Sequence, residues 1–186
     1  QGRPVPAFDG PTLADGLAVP QVGDRAFAIA RDRVDALVTV SEADISLAIL
    51  RLVELEKGVV EGAGAVPLAA FLAGKLQSLR GKRVALLLCG GNIDPMVLSR
   101  VIEHGVAVDG RLTEFTAVIS DRPGGLAELA STIASTGASV QQIDHERAFG
   151  EADVSRVTVR CRVEVRDGTH LETLKSALKS KGIQVH

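Results

Sequence analysis

The chain has 186 residues, 46% of them hydrophobic and 24% charged, which is the make-up of folded globular material and excludes a disordered tail. A formal net charge of −2 gives no electrostatic pull toward nucleic acid or an anionic membrane, and 3% aromatics with no Trp or Tyr removes the stacking platforms of single-strand binders. No apolar run approaches the ~20 residues that cross a bilayer. The length suits one large domain or two small ones.

Residues 1–20 are rich in Pro and Gly (Pro4, Pro6, Gly10, Pro11, Gly16, Pro20) and read as loop. The start, Gln1-Gly2-Arg3-Pro4, has neither an initiator Met nor a signal peptide, so the expectation is a chain that begins mid-protein. Asp24 can cap a short helix to about Asp32, and residues 36–40, Ala-Leu-Val-Thr-Val, read as a brief strand. Ser41 opens a helix by capping the N–H of Asp44, with Ile45, Ala48, Ile49, Leu52 and Val53 at helical spacing. Lys57-Gly58 should end it, with Gly58 taking positive φ. Glu61-Gly-Ala-Gly-Ala-Val66 then leads into an Ala/Leu-rich helix expected to stop near Leu79. Residues 84–88, Val-Ala-Leu-Leu-Leu, read as a strand buried on both faces. Gly90-Gly91-Asn92 follows, then Asp94 as cap and Pro95 at the first helical position, with the helix stopping at Gly105. Strand, glycine turn and helix start in that order can face an anion or a cofactor. This half is α/β.

Residues 106–111 read as a linker, and 112–186 change pattern. A strand at 112–120 leads to the turn Asp121-Arg122-Pro123-Gly124-Gly125. Leu126, Leu129, Ala130 and Ile133 mark a helix ending at Gly137, and a second strand covers about 138–145. The cleanest alternation follows: Val157, Val159, Cys161, Val163 and Val165 on one face, Arg156, Thr158, Arg160, Arg162 and Glu164 on the other. Asp167-Gly168 opens a helix with Leu171, Leu174, Ala177 and Leu178, and 183–185 form a last short strand. The order βαββαβ is that of an α+β, ferredoxin-like sheet with two helices on one face.

Taken singly, the loop motifs are weak. Cys89-Gly-Gly-Asn92 reads equally as a structural turn with a small core thiol or as a thiol facing a heteroaromatic nitrogen beside glycines that admit close approach. Glu61 with its glycines reads as a surface carboxylate and packing residues, and Asp15-Gly16 as a simple turn. In residues 121–125 the glycines can serve positive φ, or bare N–H groups at a helix start can receive a carboxylate.

In order, the segments resemble one family. Thr12-Leu-Ala-Asp-Gly16-Leu-Ala-Val19, Val38-Thr-Val-Ser41-Glu-Ala-Asp44, Val60-Glu-Gly-Ala-Gly-Ala-Val66 and Cys89-Gly-Gly-Asn-Ile-Asp94 resemble the threonine/serine dehydratases of pyridoxal-phosphate fold type II. Asp121-Arg-Pro-Gly-Gly-Leu126 and the βαββαβ order resemble an ACT domain. The resemblance implies the end of a catalytic domain at 1–105, a linker at 106–111 and an ACT-like regulatory domain at 112–186.

That resemblance puts Cys89 at the pyridine nitrogen of pyridoxal 5'-phosphate, Gly90 and Asn92 in the turn beside it, Glu61 near the ring and Gly16 at the edge of the site. A neutral thiol partner leaves that nitrogen largely unprotonated, enough for loss of a Cα proton and expulsion of a β-hydroxyl. The implied reaction turns L-threonine into 2-oxobutyrate, or L-serine into pyruvate, with release of ammonia. The family's Schiff-base lysine and Gly-rich phosphate loop lie upstream and have no counterpart among Lys57, Lys75, Lys82, Lys175, Lys179 and Lys181. No catalytic residue is therefore expected in this chain, which reads as a fragment inactive by itself. Asp121, Arg122, Pro123, Gly124 and Gly125 are the expected contacts for an amino-acid effector. A homo-oligomer and no metal, nucleic-acid or membrane partner are expected. Cys89 and Cys161, as free thiols, point to a reducing compartment, the cytoplasm, with an organelle left open. Two alternatives stand beside this reading: a non-enzymatic amino-acid-binding or dimerisation module, and a serine racemase-like enzyme.

Overall fold

The computed structural model describes residues 2–7, 10–146 and 155–186. It divides into two compact units, Gln1–Gly105 and Val106–His186. Each has its own core.

In the first unit, α1 (Asp24–Ala30) is capped by Gly23 without a side-chain bond, so Asp24 sits inside the first turn rather than before it. α2 (Glu42–Arg51) has a reciprocal cap: the Ser41 hydroxyl accepts the Asp44 N–H at 3.2 Å, and the Asp44 carboxylate accepts the Ser41 N–H at 2.8 Å. Those bonds, backbone first, hold the Asp44 carboxyl below its ordinary pKa of 3.8. α2 runs into a π-helical turn, Leu52–Glu56, and the left-handed residue is Lys57 (φ 56°), not Gly58. The Lys57 ammonium donates to the Glu54 carbonyl at 2.6 Å, which ties the side chain back over the turn. α3 (Gly62–Leu72) ends earlier than expected, because Gly74 at φ 67° breaks the repeat before a short 3-10 turn, Gln77–Leu79. α4 (Pro95–Val108) starts as expected, with the Asp94 carboxylate accepting the N–H of Met96 at 2.8 Å and of Val97 at 3.2 Å. It does not stop at Gly105. That residue lies inside the helix, where a Cβ would come within 2.8 Å of the Ser46 carbonyl oxygen, so the glycine serves close helix packing and not termination. The helix also runs through residues 106–108, the first part of the stretch expected to be a linker.

Ile45, Ala48, Ile49 and Leu52 pack on Ala65 and Ala69 of α3, Val101 of α4 and Ala14. The expected strands at 36–40 and 84–88 are a correction. Neither stretch is in a ladder among the described residues, and Leu37 and Leu87 are 91% and 78% exposed. A strand needs a neighbour for its N–H and C=O groups, and these find none in the described residues.

The second unit is a four-stranded antiparallel sheet in the order β2-β3-β1-β4, formed by β1 (Leu112–Ser120), β2 (Ser139–Glu146), β3 (Arg156–Glu164) and β4 (Gln184–Val185). β1 and β3 pair over their whole length, from Leu112 opposite Glu164 to Ser120 opposite Arg156. α5 (Gly125–Ser135) and α6 (Gly168–Ser180) contribute Leu129, Ile133, Leu174 and Leu178 to a core completed by Val157, Val159, Cys161 and Val163. This is the ferredoxin-like arrangement expected from the pattern. α6 is capped by the Asp167 carboxylate, which accepts the His170 N–H at 2.8 Å. The buried His170 ring then joins two turns: Nδ1 accepts the Arg166 N–H at 3.1 Å, and Nε2 faces the Thr136 carbonyl at 2.9 Å.

Candidate functional site

Three of the sequence segments meet at the start of α3. A Cβ on Gly62 would overlap the carbonyl of Leu13, and one on Gly64 would overlap the carbonyl of Cys89. Only glycine admits both backbones at these positions. Gly16 belongs to the same cluster, its Cβ position 3.1 Å from the Ala63 Cβ and 3.8 Å from Glu61 Oε1. Glu61 occupies the N-cap position of α3 in extended conformation. Its N–H donates to the Gly90 carbonyl at 3.0 Å, and its carboxylate accepts the Asn92 N–H at 3.1 Å. Gly90 has φ 86°, and a Cβ there would run into the Glu61 carboxylate. Glu61 therefore fastens the diglycine bend from both sides. Segment 12–14 is fixed separately: the Glu42 carboxylate accepts the Leu13 N–H at 2.8 Å and the Thr12 hydroxyl proton.

The cluster borders a cavity of about 660 Å³ lined by Thr12, Asp15, Glu61, Asn92, Asp94 and Val97, among others. Cys89 is exposed next to the bend but does not line this cavity, and Gly16 and Gly90 are likewise close to it and not on its wall. The expected alternative of a buried core thiol at 89 is not what the fold provides; that description fits Cys161, whose burial and the nearby Asp144 carboxylate push its thiol up to about 11.

These residues fit one end of a pyridoxal phosphate. An open thiol beside a Cβ-free bend can meet a ring nitrogen without steric conflict. They do not suit its phosphate: among the described residues the cavity wall carries three carboxylates, Asp15, Glu61 and Asp94, and no cation or lysine.

In the second unit, Gly124 takes φ 102°, and a Cβ on Gly125 would overlap the Ser120 carbonyl, so both glycines of the turn answer a backbone demand. The Gly125 N–H is already given to the Arg122 carbonyl at 3.1 Å, and the Asp121 N–H to the Ser155 carbonyl at 3.0 Å. The Asp121 carboxylate lies 3.7 Å from the His145 ring. Arg122 and Gly125 line a cavity of about 290 Å³ that Asp121, Pro123 and Gly124 do not reach. Sequence reasoning missed the rest of its wall, notably Glu128, Arg156 and Lys181. Arg156 stood in the sequence as one member of the polar face of the third strand, and Lys181 as one of six lysines outside a Schiff-base motif. Only the fold brings the β3 start and the α6–β4 turn beside residue 122.

Among the described residues, no cluster of His, Cys, Asp and Glu could hold a metal ion, and no helix is long and apolar enough to cross a membrane.

Residues 1–90 match the family model described as pyridoxal-phosphate dependent enzyme. Over 94% of its length the chain is 41% identical to a Thermotoga maritima protein named L-threonine ammonia-lyase, covering 43% of that protein. It is 42% identical to a Geobacter sulfurreducens protein of the same name, again over 94% of the chain and 43% of the relative. A solved structure of the processed form of threonine deaminase isoform 2 from Solanum lycopersicum aligns with 54% of this chain and 29% of its own, at 30% identity and a TM-score of 0.49. The chain thus spans less than half the length of the relatives it matches. Within these bounds, residues 1–90 are similar to the pyridoxal-phosphate dependent enzyme family, and nearly the whole chain is similar to a stretch of L-threonine ammonia-lyases.

Proposed function

We propose that this chain is the C-terminal part of a pyridoxal-phosphate-dependent ammonia-lyase that converts L-threonine to 2-oxobutyrate, or L-serine to pyruvate, with release of ammonia. The observation that carries the reading is the meeting of residues 12–16, 61–64 and 89–92 around the start of α3. Bound pyridoxal phosphate supplies the electron sink for loss of the substrate's Cα proton. The chain's own part is to receive the ring. The Cys89 thiol meets its nitrogen as a neutral partner, and Gly90 and Gly91 keep side chains out of its plane. The Glu61 carboxylate holds the bend rigid through the Asn92 N–H. Lysine and phosphate-binding residues come from outside these 186 residues. That agrees with a wall of carboxylates that would repel a phosphate.

The second unit, in this reading, is an ACT-type regulatory domain whose turn at 121–125 serves an effector, with assembly into a homo-oligomer. Two free thiols suit a reducing compartment, the cytoplasm.

Two measurements test the proposal. The isolated chain, supplied with pyridoxal phosphate and L-threonine or L-serine, should release no 2-oxo acid, and clear turnover would refute its incompleteness. In the longer protein that contains it, Cys89→Ala should change the absorbance of the bound cofactor and lower kcat, while Cys89→Ser should restore both. An unchanged spectrum and rate in Cys89→Ala would remove the thiol from the ring.

A further inference from the structure

The cavity of about 290 Å³ beside the 121–125 turn has a charge balance that the effector reading does not anticipate. Among the described residues its wall carries three cations, Arg122, Arg156 and Lys181, against one carboxylate, Glu128. They come from three separate elements: the β1–α5 turn, the first residue of β3 and the α6–β4 turn. Elsewhere on the same sheet, Arg160 and Arg162 are paired with Glu114, at 3.7 and 3.5 Å. Arg122, Arg156 and Lys181 have no ion-pair partner among the described residues. An independent observation concerns α5, whose first residue, Gly125, is on the cavity wall. The helices α2 and α6 are capped by the side chains of Ser41 and Asp167, and Asp94 binds the first-turn N–H groups of α4, whereas α1 and α3, like α5, have no side-chain cap bond. α5 has Gly124 at its N-cap and no side-chain bond to its first turn. A positive helix end thus lies beside an excess of two positive side-chain charges among the described residues of the wall.

We propose that this cavity binds a compact dianion, a phosphoryl group or a small dicarboxylate, rather than a neutral amino acid. A zwitterion brings no net charge and leaves the excess of two uncompensated, whereas a dianion cancels it. Guanidinium groups such as those of Arg122 and Arg156 match phosphate and carboxylate oxygens two at a time. The space suits a small molecule at the lower end of ligand-pocket sizes. The inference rests on the effector reading of this turn for its regulatory meaning, and it changes the chemical class of the effector.

The test is titration calorimetry on the full 186-residue chain with inorganic phosphate, succinate and L-isoleucine as separate probes. Saturable binding of phosphate or succinate, weakened about fivefold by each of Arg122→Gln, Arg156→Gln and Lys181→Gln, supports the proposal. The first two probes distinguish the phosphoryl from the dicarboxylate source. Glu128→Gln should tighten the dianion by a similar factor, a gain that misfolding cannot imitate. Isoleucine binding without dianion binding would overturn the ligand class and leave the effector reading standing. Binding of none of the three would overturn both.

Discussion

Gly62 and Gly64 hold the candidate site together by what they lack. Their missing side chains let α3 touch the backbone of residue 13 on one side and of residue 89 on the other. Gly64→Ala should therefore cost about 1–3 kcal/mol in urea unfolding of the chain, the range for overpacking where only backbone can yield. Gly58→Ala, whose Cβ would meet nothing within 4 Å, should cost far less. The two thiols make a second contrast. Cys89 is exposed and should react with a thiol reagent in the native chain, whereas the buried Cys161 should react only after denaturation. Cys161 is raised from 9.0 to about 11, so its contribution is complete below pH 9 and is lost as the pH climbs through about 11. Asp44 works in the opposite direction. Its carboxyl is depressed, so the stability it adds is present above pH 3.8 and is lost as the pH falls through its folded-state value. Asp44→Asn should flatten that acid limb of the melting temperature. Glu61 and the glycines were visible in the sequence as motif members, but their work was not. That a carboxylate at 61 would tie down the N–H of residue 92 depends on a distance no spacing rule encodes.

Among the elements, β3 was the most legible, because every second residue meets the core and the burial alternates along the strand as the hydrophobicity does. The caps of α2 and α4 were equally plain, since Ser41 and Asp94 act within three residues of themselves. Replacing the matching cap of α6, Asp167→Ala, should cost about 1 kcal/mol by chemical denaturation. Legibility failed where an element depends on something distant. Val84-Ala-Leu-Leu-Leu88 has the composition of a doubly covered strand, but composition describes a cover without supplying one. Gly105 has the identity of a helix stop, yet the carbonyl of Ser46 beside it makes it a packing residue. After the π-helical turn, the left-handed position falls on Lys57, one residue before the glycine expected to take it.

Across the whole chain, apolar exposure is uneven. Leu37, Leu55, Phe71, Leu87 and Met96, all more than half exposed, belong to the first unit, while Val108, Leu126 and Val140 of the second are each at or below 40%. Extended apolar stretches with open backbone groups invite pairing with other chains. The isolated chain should self-associate with rising concentration in light scattering, and Leu37→Lys with Leu87→Lys should suppress it without altering the far-UV circular dichroism. Equal scattering from the double variant would show that these stretches are not the contact. The His170 imidazole offers a way to follow the second unit alone. Because Nδ1 accepts a backbone N–H, the single ring proton must reside on Nε2, pointed at the Thr136 carbonyl and shielded from water. Such a proton exchanges slowly and resonates far downfield in a magnetic resonance spectrum. One sharp line would then count intact second units in any mixture, without a probe attached.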